Sequence, residues 1–479
     1  MKSIKEQLDP IFKPKSIAVI GASATPMKWG FRMMDRPIRT GFRGNIYPVN
    51  IKGETMFGLP TYKCLLDIPD KVDLVIMTIP AKLVPAAMKE CVEKKVGGVV
   101  LITAGFSEVD EHGGLIEKEV VRIAREGNIR FVGPNCMGIW SSESRLNLSF
   151  EKAPRSGPIS FISQSGTFGV FLSEIANARG YGLSKFVSIG NQADLNAADY
   201  LEYLATDENT QVVVFYMEGF KEGRRFFDLA RKITKKKPIL VFKAGHTTAG
   251  TRATLSHTAS LSGSDAVFDA MCRQAGIIRS RDATQTFNMA EALADQPLPP
   301  GKRIAILGSG GQGVVTADAC EALGLEVPLL EDKIIQEIKK ILPPHAPVPT
   351  NPIDFAGSMR TGIEESSVVE TLLCQDNIDG VISNVPINPM AWSYASNPGK
   401  ISKPLLDVTK LAIDGAQHFA SLPGKYNKPI ITIRFRKFEN DIVADTLKGA
   451  GIPIYDTPEE CALAMYALAR YGEIKRNKD

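Results

Sequence analysis

The sequence predicts an α/β protein built from three doubly wound domains. Three segments each begin with a short apolar strand, at residues 16–20, 157–162 and 303–307, followed by a turn rich in Gly and Ser and then a helical pattern. Further short apolar strands alternate with amphipathic helices in each segment. Such strands are typical of parallel sheets that are covered by helices on both faces.

Length and proline content indicate where the domains divide. The 479 residues exceed the size at which one hydrophobic core keeps growing. Proline is dense at residues 296–301, and a longer polar, proline-containing stretch covers residues 141–157. We predict domains at residues 1–145, 146–297 and 298–479.

Composition excludes several classes of protein. A hydrophobic fraction of 44% and a charged fraction of 23% are those of an ordinary globular protein. The formal net charge of +4 is small, and no Lys/Arg stripe with interleaved aromatic residues indicates nucleic-acid binding. The modest positive charge suits an anionic ligand.

Cysteine spacing and hydropathy predict the cellular setting. The seven cysteines are scattered and never spaced as CxxC, which argues against a disulfide framework and against a zinc site. The N-terminus lacks a secretory pattern, and no apolar run of about 18 residues occurs. We therefore expect a cytoplasmic protein with no metal site and no membrane contact.

The turn after the first strand is a candidate anion site. Residues 21–30 place small residues where a strand meets a helix, so backbone N–H groups can approach a phosphate closely. A strict GxGxxG is missing, and a plain tight turn is the alternative. The candidate cofactor residues in this turn are Gly21, Ala22, Ser23 and Lys28.

The second strand narrows the choice of ligand. It ends at Pro48 and Asn50 instead of the acidic residue that holds a ribose hydroxyl in NAD sites, and Lys52 follows. A positive residue here suits a ligand with an extra phosphate on its ribose. That description fits both NADP and coenzyme A.

Small and polar residues also follow the later strands of the first segment. In open parallel sheets, ligands bind beyond the carboxyl ends of the strands, although Gly, Pro and Asn also make ordinary turns there. We interpret Cys136 as a buried or incidental residue, because no His partner can be placed beside it. The candidate cofactor residues at these ends are Pro80, Thr103, Ala104, Gly105 and Asn135.

The second segment contains two similar turns. Ser165 and Gly166 follow a strand and open a helix, where backbone donors can bind an anion, and where a serine also serves as a simple N-cap. Gly190 and Asn191 lie in a later strand-to-helix turn. All four are candidate phosphate-binding residues.

The loop at residues 243–263 holds two of the five histidines, His246 and His257. A neutral imidazole can accept a phosphoryl group on one nitrogen while a carboxylate or carbonyl holds the other. A surface role is the plainer interpretation, and composition does not choose between the two. Glu218, directly after a strand, is a candidate carboxylate partner, although helix N-terminal charge stabilisation also explains such residues.

Taken together, these motifs resemble the α subunits of ADP-forming acetyl-CoA synthetases, which are relatives of succinyl-CoA synthetase. The resemblance covers nearly the whole chain. It implies an N-terminal Rossmann-type CoA-binding domain followed by two flavodoxin-like ligase domains. The motifs that carry it lie at residues 21–23, 48–50 with 52, 103–106, 133–135, 163–166, 190–191, 256–260 and 263–265.

The resemblance implies a phosphoryl relay. An acyl-CoA and inorganic phosphate give an acyl phosphate and CoA, and the acyl phosphate phosphorylates a histidine that passes the group to a nucleoside diphosphate. The SHTxS motif of the family selects His257 over His246 and makes Glu218 its partner. Coenzyme A is the implied substrate, whereas ADP or ATP with Mg²⁺ is implied on a separate ATP-grasp β subunit in an α2β2 assembly.

The sequence departs from the family pattern at two positions, and two alternative functions stay open. Ile51 stands between Asn50 and Lys52 where the family often has proline, and Ser309 begins a turn that often begins with Asn in the family. A non-catalytic CoA-binding or regulatory protein is the main alternative, and retention of His257 and Glu218 argues against it. An NADP-dependent oxidoreductase is the second alternative. The sequence does not name the acid.

Overall fold

The computed structural model describes residues 2–53, 55–258, 264–356, 362–386, 403–434, 436–438 and 441–477, and of residues 254–258 and 403–408 only the backbone. Contacts divide the chain into two compact units, Met1–Phe287 and Asn288–Asp479. Within the described ranges, no helix is both long and apolar enough to cross a bilayer. The cytoplasmic location stays a prediction.

The first unit begins with a five-stranded parallel sheet in the order β2-β1-β3-β4-β5. Its strands are β1 (Ser16–Ile20), β2 (Asn45–Val49), β3 (Leu74–Met77), β4 (Gly98–Leu101) and β5 (Arg130–Val132). Its helices are α1 (Ile4–Phe12), α2 (Trp29–Thr40), α3 (Val84–Lys94) and α4 (Glu111–Glu126). The strand order reverses between β1 and β3, where doubly wound sheets bind their ligands.

A second sheet in the same unit has the order β12-β11-β10-β8-β9-β6-β7. Its strands are β6 (Ile139–Ser141), β7 (Leu146–Asn147), β8 (Ile159–Ser163), β9 (Leu183–Ser188), β10 (Val212–Met217), β11 (Ile239–Lys243) and β12 (Ile278–Ser280). Its helices are α5 (Gly166–Arg179), α6 (Ala197–Ala205), α7 (Gly223–Ile233), α8 (Thr248–Thr258) and α9 (Asp265–Ala275). The boundary between the two units falls inside the next helix, α10 (Ala283–Asp295). β8 to β12 pair in parallel, whereas β6 is antiparallel to β7 and β9.

The antiparallel β6–β7 hairpin affects the predicted division of the first unit. The predicted boundary after residue 145 falls between these strands, which both belong to the second sheet. One apolar cluster extends from Leu8 to Ile277 and contains buried side chains of both sheets. This shared core explains why the first two sheets form one compact unit. The three-domain division stays a prediction.

The second unit contains the third sheet, all parallel, in the order β14-β13-β15-β16-β17. Its strands are β13 (Ile304–Gly308), β14 (Ile353–Asp354), β15 (Gly380–Asn384), β16 (Ile430–Ile433) and β17 (Ile454–Tyr455). Its helices are α11 (Gly311–Ala322), α12 (Asp332–Lys339), α13 (Ile363–Leu373), α14 (Lys403–Tyr426), α15 (Ile442–Gly449) and α16 (Pro458–Arg476).

The parallel part of every sheet has the same order. Numbered within each sheet, the five parallel strands run 2-1-3-4-5 in all three cases. Most strand residues are fully buried, as expected for parallel strands with helices on both faces. The predicted doubly wound α/β fold is therefore confirmed.

Candidate active site at the edge of two sheets

A cavity of about 790 Å³ lies in the first unit, beyond the carboxyl ends of strands from both sheets. Its volume is in the range of small-molecule and cofactor sites. The turns that follow β3, β4, β5, β8, β9 and β10 all contribute to its wall. The predicted site residues that line it are Pro80, Thr103, Ala104, Asn135, Ser165, Gly166, Gly190 and Asn191.

Two loops from different sheets are held together at one wall of the cavity. The Asn191 backbone N–H donates to the Pro134 carbonyl at 3.0 Å, and the Ala193 N–H donates to the Gly133 carbonyl at 3.1 Å. Gly190 has a φ of +53°, and a Cβ there would lie 2.1 Å from the Pro134 oxygen. Only glycine fits this approach, which brings Asn191 beside Asn135.

Asn191 also contacts two carboxylates. Its amide nitrogen donates to Glu108 Oε2 at 2.5 Å and to Glu117 Oε2 at 2.9 Å. Glu108 Oε1 accepts the backbone N–H groups of Gly105, at 2.7 Å, and of Phe106, at 3.2 Å. Burial raises the pKa of Glu108, but the hydrogen bonds from Asn191 and Gly105 outweigh it and hold this pKa below its usual value. Glu108 therefore carries a negative charge at neutral pH.

The N-terminus of α5 faces the same cavity. Ser165, Gly166 and Thr167 line the cavity, and Ser165 Oγ accepts the Phe168 N–H at 3.4 Å as the helix N-cap. The remaining N–H groups of the first turn have no partner inside the helix, so this end attracts an anion. The capping and the anion-binding interpretations of Ser165 are thus compatible.

Gln164 joins the ends of β8 and β10. Its Oε1 accepts the backbone N–H groups of Glu218 at 2.9 Å and of Gly219 at 3.0 Å. The Glu218 side chain is buried, with 5% of its surface exposed, and Tyr216 donates to its Oε1 at 3.4 Å. Gly219 lines the cavity, so Glu218 lies beside it.

The predicted cofactor residues at the ends of β1 and β2 form a separate group next to the cavity. The Gly21 and Ala22 N–H groups donate to the Val49 carbonyl, and Asn50 Nδ2 donates to the Ala22 carbonyl at 2.8 Å. The Lys52 N–H donates to Asn50 Oδ1 at 2.9 Å, while its side chain is exposed. The other predicted members are Ser23 and Pro48, with Lys28 at the N-cap of α2.

The two histidines differ in what the structure describes. His246 is exposed and precedes α8, which begins at Thr248. The backbone of His257 lies in α8, but its side chain lies outside the described residues. The choice of His257 over His246 therefore stays a prediction. In the described part of the chain, no group of three or more His, Cys, Asp or Glu side chains is arranged to hold a metal ion.

Comparison with known proteins identifies the family. The CoA binding domain profile matches residues 15–141, and the succinyl-CoA ligase like flavodoxin domain profile matches residues 156–293. The chain is 38% identical to the α subunit of acetate–CoA ligase (ADP-forming) II of Pyrococcus furiosus, over 97% of this chain and 98% of that one. This chain belongs to the family of ADP-forming acetate–CoA ligase α subunits.

Two further relatives of the α-subunit family agree with this assignment. A solved structure of acetyl-coenzyme A synthetase 1 from Ca. Korarchaeum cryptofilum, in complex with phosphate and ADP, has a TM-score of 0.85 at 32% identity and covers 98% of this chain and 97% of that chain. The ADP-forming acetate–CoA ligase of Methanocaldococcus jannaschii is 41% identical over 73% of this chain, but over only 49% of its own length. The predicted membership is confirmed.

Some residues that line the cavity of this α-subunit family member were not predicted as site residues from the sequence. Trp29, Glu108, Gln164 and Lys221 all line the cavity. Gln164 lies inside the motif at residues 163–166, and Glu108 lies two residues after the motif at residues 103–106, so a position just beyond a strand could have indicated both. Trp29 and Lys221 are adjacent in space to the site only because helix α2 and the loop after β10 converge there.

Cys136 lines the cavity without serving as a nucleophile. Its Sγ lies 3.4 Å from the Leu101 carbonyl, and burial raises the pKa of the Cys136 thiol to about 12. The thiol therefore stays protonated at neutral pH. This agrees with the interpretation of Cys136 as a buried residue.

Proposed function

We propose that this chain binds CoA and carries the phosphohistidine in an acyl-CoA synthetase that forms ATP from ADP. The overall reaction converts an acyl-CoA, phosphate and ADP into the free acid, CoA and ATP, with acetate as the acid that the names of the relatives suggest. One observation carries the proposal: a single cavity is lined by the CoA-binding segment and by the N-terminus of α5, beside Glu218.

In the first step, a phosphate oxygen attacks the thioester carbonyl carbon. The C–S bond breaks, the CoA sulfur takes the phosphate proton, and an acyl phosphate remains. The N-terminus of α5 at Ser165 and Gly166 supplies backbone N–H donors for the anion, and the predicted phosphate-binding residues Gly190 and Asn191 lie in the turn after the neighbouring strand β9. Preorganised donors of this kind stabilise charge that develops during phosphoryl transfer.

In the second step, one nitrogen of His257 attacks the phosphorus of the acyl phosphate and the carboxylate of the acid leaves. The second ring nitrogen then carries its proton on a positively charged ring. Glu218 is our candidate partner for that N–H, because its buried carboxylate lies at the carboxyl end of β10 beside the cavity. A carboxylate in this role orients the ring and stabilises its charge.

The last step passes the phosphoryl group to ADP, and we propose that a partner chain binds this ADP. The α subunit from P. furiosus matches along nearly its whole length, whereas the M. jannaschii relative is much longer than its matched part. We propose that an ATP-grasp β subunit supplies the ADP and Mg²⁺ site, in an α2β2 assembly located in the cytoplasm. Size-exclusion chromatography of the co-expressed subunits tests the stoichiometry.

Labelling with radioactive phosphate tests the proposed relay. Incubation of the chain with acetyl-CoA and labelled inorganic phosphate, alone and with the β subunit, should give a phosphoprotein that is labile in acid and stable in base. His257→Ala should abolish this label, and Glu218→Gln should slow its appearance about 10²- to 10⁴-fold.

His246→Ala is the matched control, because it removes the other histidine of the same loop. It should leave labelling intact. Equal labelling in His257→Ala and in the unsubstituted chain would contradict the phosphohistidine assignment, and loss in His246→Ala alone would move it to His246. Spectral changes of reduced nicotinamide on mixing would instead support the oxidoreductase alternative.

A further inference from the structure

The described cavity wall has one negative and one positive side chain, and the two come from different sheets. Among the described residues that line the cavity, the charged side chains are those of Glu108 and Lys221. Glu108 belongs to the loop after β4 in the first sheet, and Lys221 belongs to the loop between β10 and α7 in the second. An anion inside the cavity is therefore repelled from the Glu108 wall and attracted toward Lys221.

Lys221 is close in sequence to the residues that shape the second-sheet side of the cavity. It lies two residues after Gly219, whose N–H donates to the Gln164 side chain. Gln164 in turn directly precedes Ser165, the N-cap of α5. The Lys221 side chain is exposed, so its ammonium is accessible from solvent. The positive end of α5 and the Lys221 ammonium thus contribute to the same side of the cavity.

The Lys221 ammonium makes no hydrogen bond or ion pair with the described residues, and its electrostatic partner there is Glu117, which attracts it from a distance. Two arginines of the neighbouring helix α7 are, by contrast, engaged in ion pairs. Arg225, for example, pairs with Glu222 at 2.9 Å and with Asp199 at 2.9 Å. The three N–H donors of Lys221 are consequently available to a ligand.

We infer that Lys221 is a binding residue for inorganic phosphate, and for the phosphoryl group of the acyl phosphate, at the second-sheet side of the cavity. The inference rests on the proposed function. The phosphates of CoA have a separate predicted site beyond the ends of β1 and β2, where the Lys52 side chain is exposed. A lysine is a compact point charge that suits a group entering and leaving in each turnover.

Direct binding of inorganic phosphate tests this role independently of turnover. Equilibrium dialysis with labelled phosphate should give saturable binding to the full chain and a dissociation constant about tenfold or more higher for Lys221→Ala. Lys221→Arg keeps the charge and should stay within about threefold of the unsubstituted chain. Lys232→Ala, an exposed lysine on α7, is the charge-matched control and should change nothing.

The CoA dissociation constant, measured by calorimetry on the same variants, should be unchanged, which also shows that they fold. Equal phosphate affinity of Lys221→Ala and the unsubstituted chain would overturn the inference, as would absence of saturable phosphate binding. Phosphate binding that depends on Lys221, without acetyl-CoA-dependent labelling of the chain with its β subunit, would instead reject the proposed function and leave the phosphate site standing.

Discussion

The side-chain amide of Asn135 donates a hydrogen bond to the amide oxygen of Asn191 across 3.3 Å, and so connects the loops that follow strands of two different sheets. Asn135 has a φ of +55°, a conformation that asparagine tolerates better than most residues. The amide of Asn191 then continues the chain of contacts to Glu108. One wall of the cavity is therefore a hydrogen-bonded unit that includes both sheets.

Asn191→Asp should break this unit. The substitution removes the donor to Glu108 and Glu117 and places a third carboxylate beside them. Loss of a hydrogen bond to a charged group costs about 1.5–3 kcal/mol, so the CoA dissociation constant should rise about 10- to 100-fold by calorimetry. Asn209→Asp makes the same change at an exposed residue and should have no effect. An unchanged affinity in Asn191→Asp would show that this wall does not contact CoA.

Gly190→Ala should lower both stability and ligand affinity. Its Cβ would lie 2.1 Å from the Pro134 oxygen, and the left-handed backbone alone costs about 1–3 kcal/mol for a residue other than glycine. The melting temperature and the CoA affinity should both fall. Gly114→Ala on α4 is the control, because its Cβ would meet only ordinary contacts. Equal melting temperatures of the two variants would contradict the packing at Gly190.

Asp207→Asn should destabilise the first unit through a buried ion pair. Lys185 Nζ lies 2.6 Å from Asp207 Oδ2, and the two side chains are 1% and 4% exposed. Removal of one partner leaves an uncompensated buried charge, which costs about 3–5 kcal/mol in denaturant unfolding. Asp228→Asn, which removes an exposed partner of Arg224, should cost less than about 1 kcal/mol.

The same ion pair predicts a pH dependence. Burial raises the pKa of Asp207, but hydrogen bonds from Lys185 and Thr210 outweigh it, so this pKa lies below its ordinary value. The contribution to stability is therefore present above the pKa of an unfolded aspartate, about 4, and is lost as the pH falls through the lower folded-state pKa. Acid unfolding that is equally steep in Asp207→Asn and the unsubstituted chain would contradict this.

Alkylation should distinguish the cysteines. Cys374 is exposed, whereas Cys136 is buried with a pKa raised to about 12. At mildly alkaline pH the thiolate fraction of Cys136 is roughly a thousandfold lower than that of an ordinary thiol. Mass spectrometry after brief iodoacetamide treatment should find Cys374 modified and Cys136 unmodified. Modification of both at similar rates would place Cys136 in contact with solvent.

Much of the fold was predictable from local pattern. The strands that begin the three segments end at Ile20, Ser163 and Gly308, close to the predicted positions, because a parallel strand buried on both faces is a nearly continuous apolar run. The β6–β7 hairpin was not predicted. Its strands have three and two residues, and their antiparallel pairing depends on the free edge of β9, which no local pattern reveals.

The candidate site likewise contains some residues that the sequence predicted and others that it did not. The turns at Thr103, Asn135, Ser165 and Asn191 were predicted, because strand ends of parallel sheets meet at one edge and glycine-rich turns mark those ends. Lys221 was not, because a single lysine after a strand has no pattern that separates it from a surface residue.

By itself, the sequence determined the doubly wound sheets, the family through its motifs, and the strand-end turns that hold most of the cavity wall. Tertiary structure alone decided that turns from two sheets share one cavity, that Asn191 contacts Glu108, and that Lys221 is a charged residue of that wall. The reason is physical: hydrophobic periodicity and turn chemistry act over neighbouring residues, whereas a cavity is formed by groups as far apart in the chain as Trp29 and Lys221.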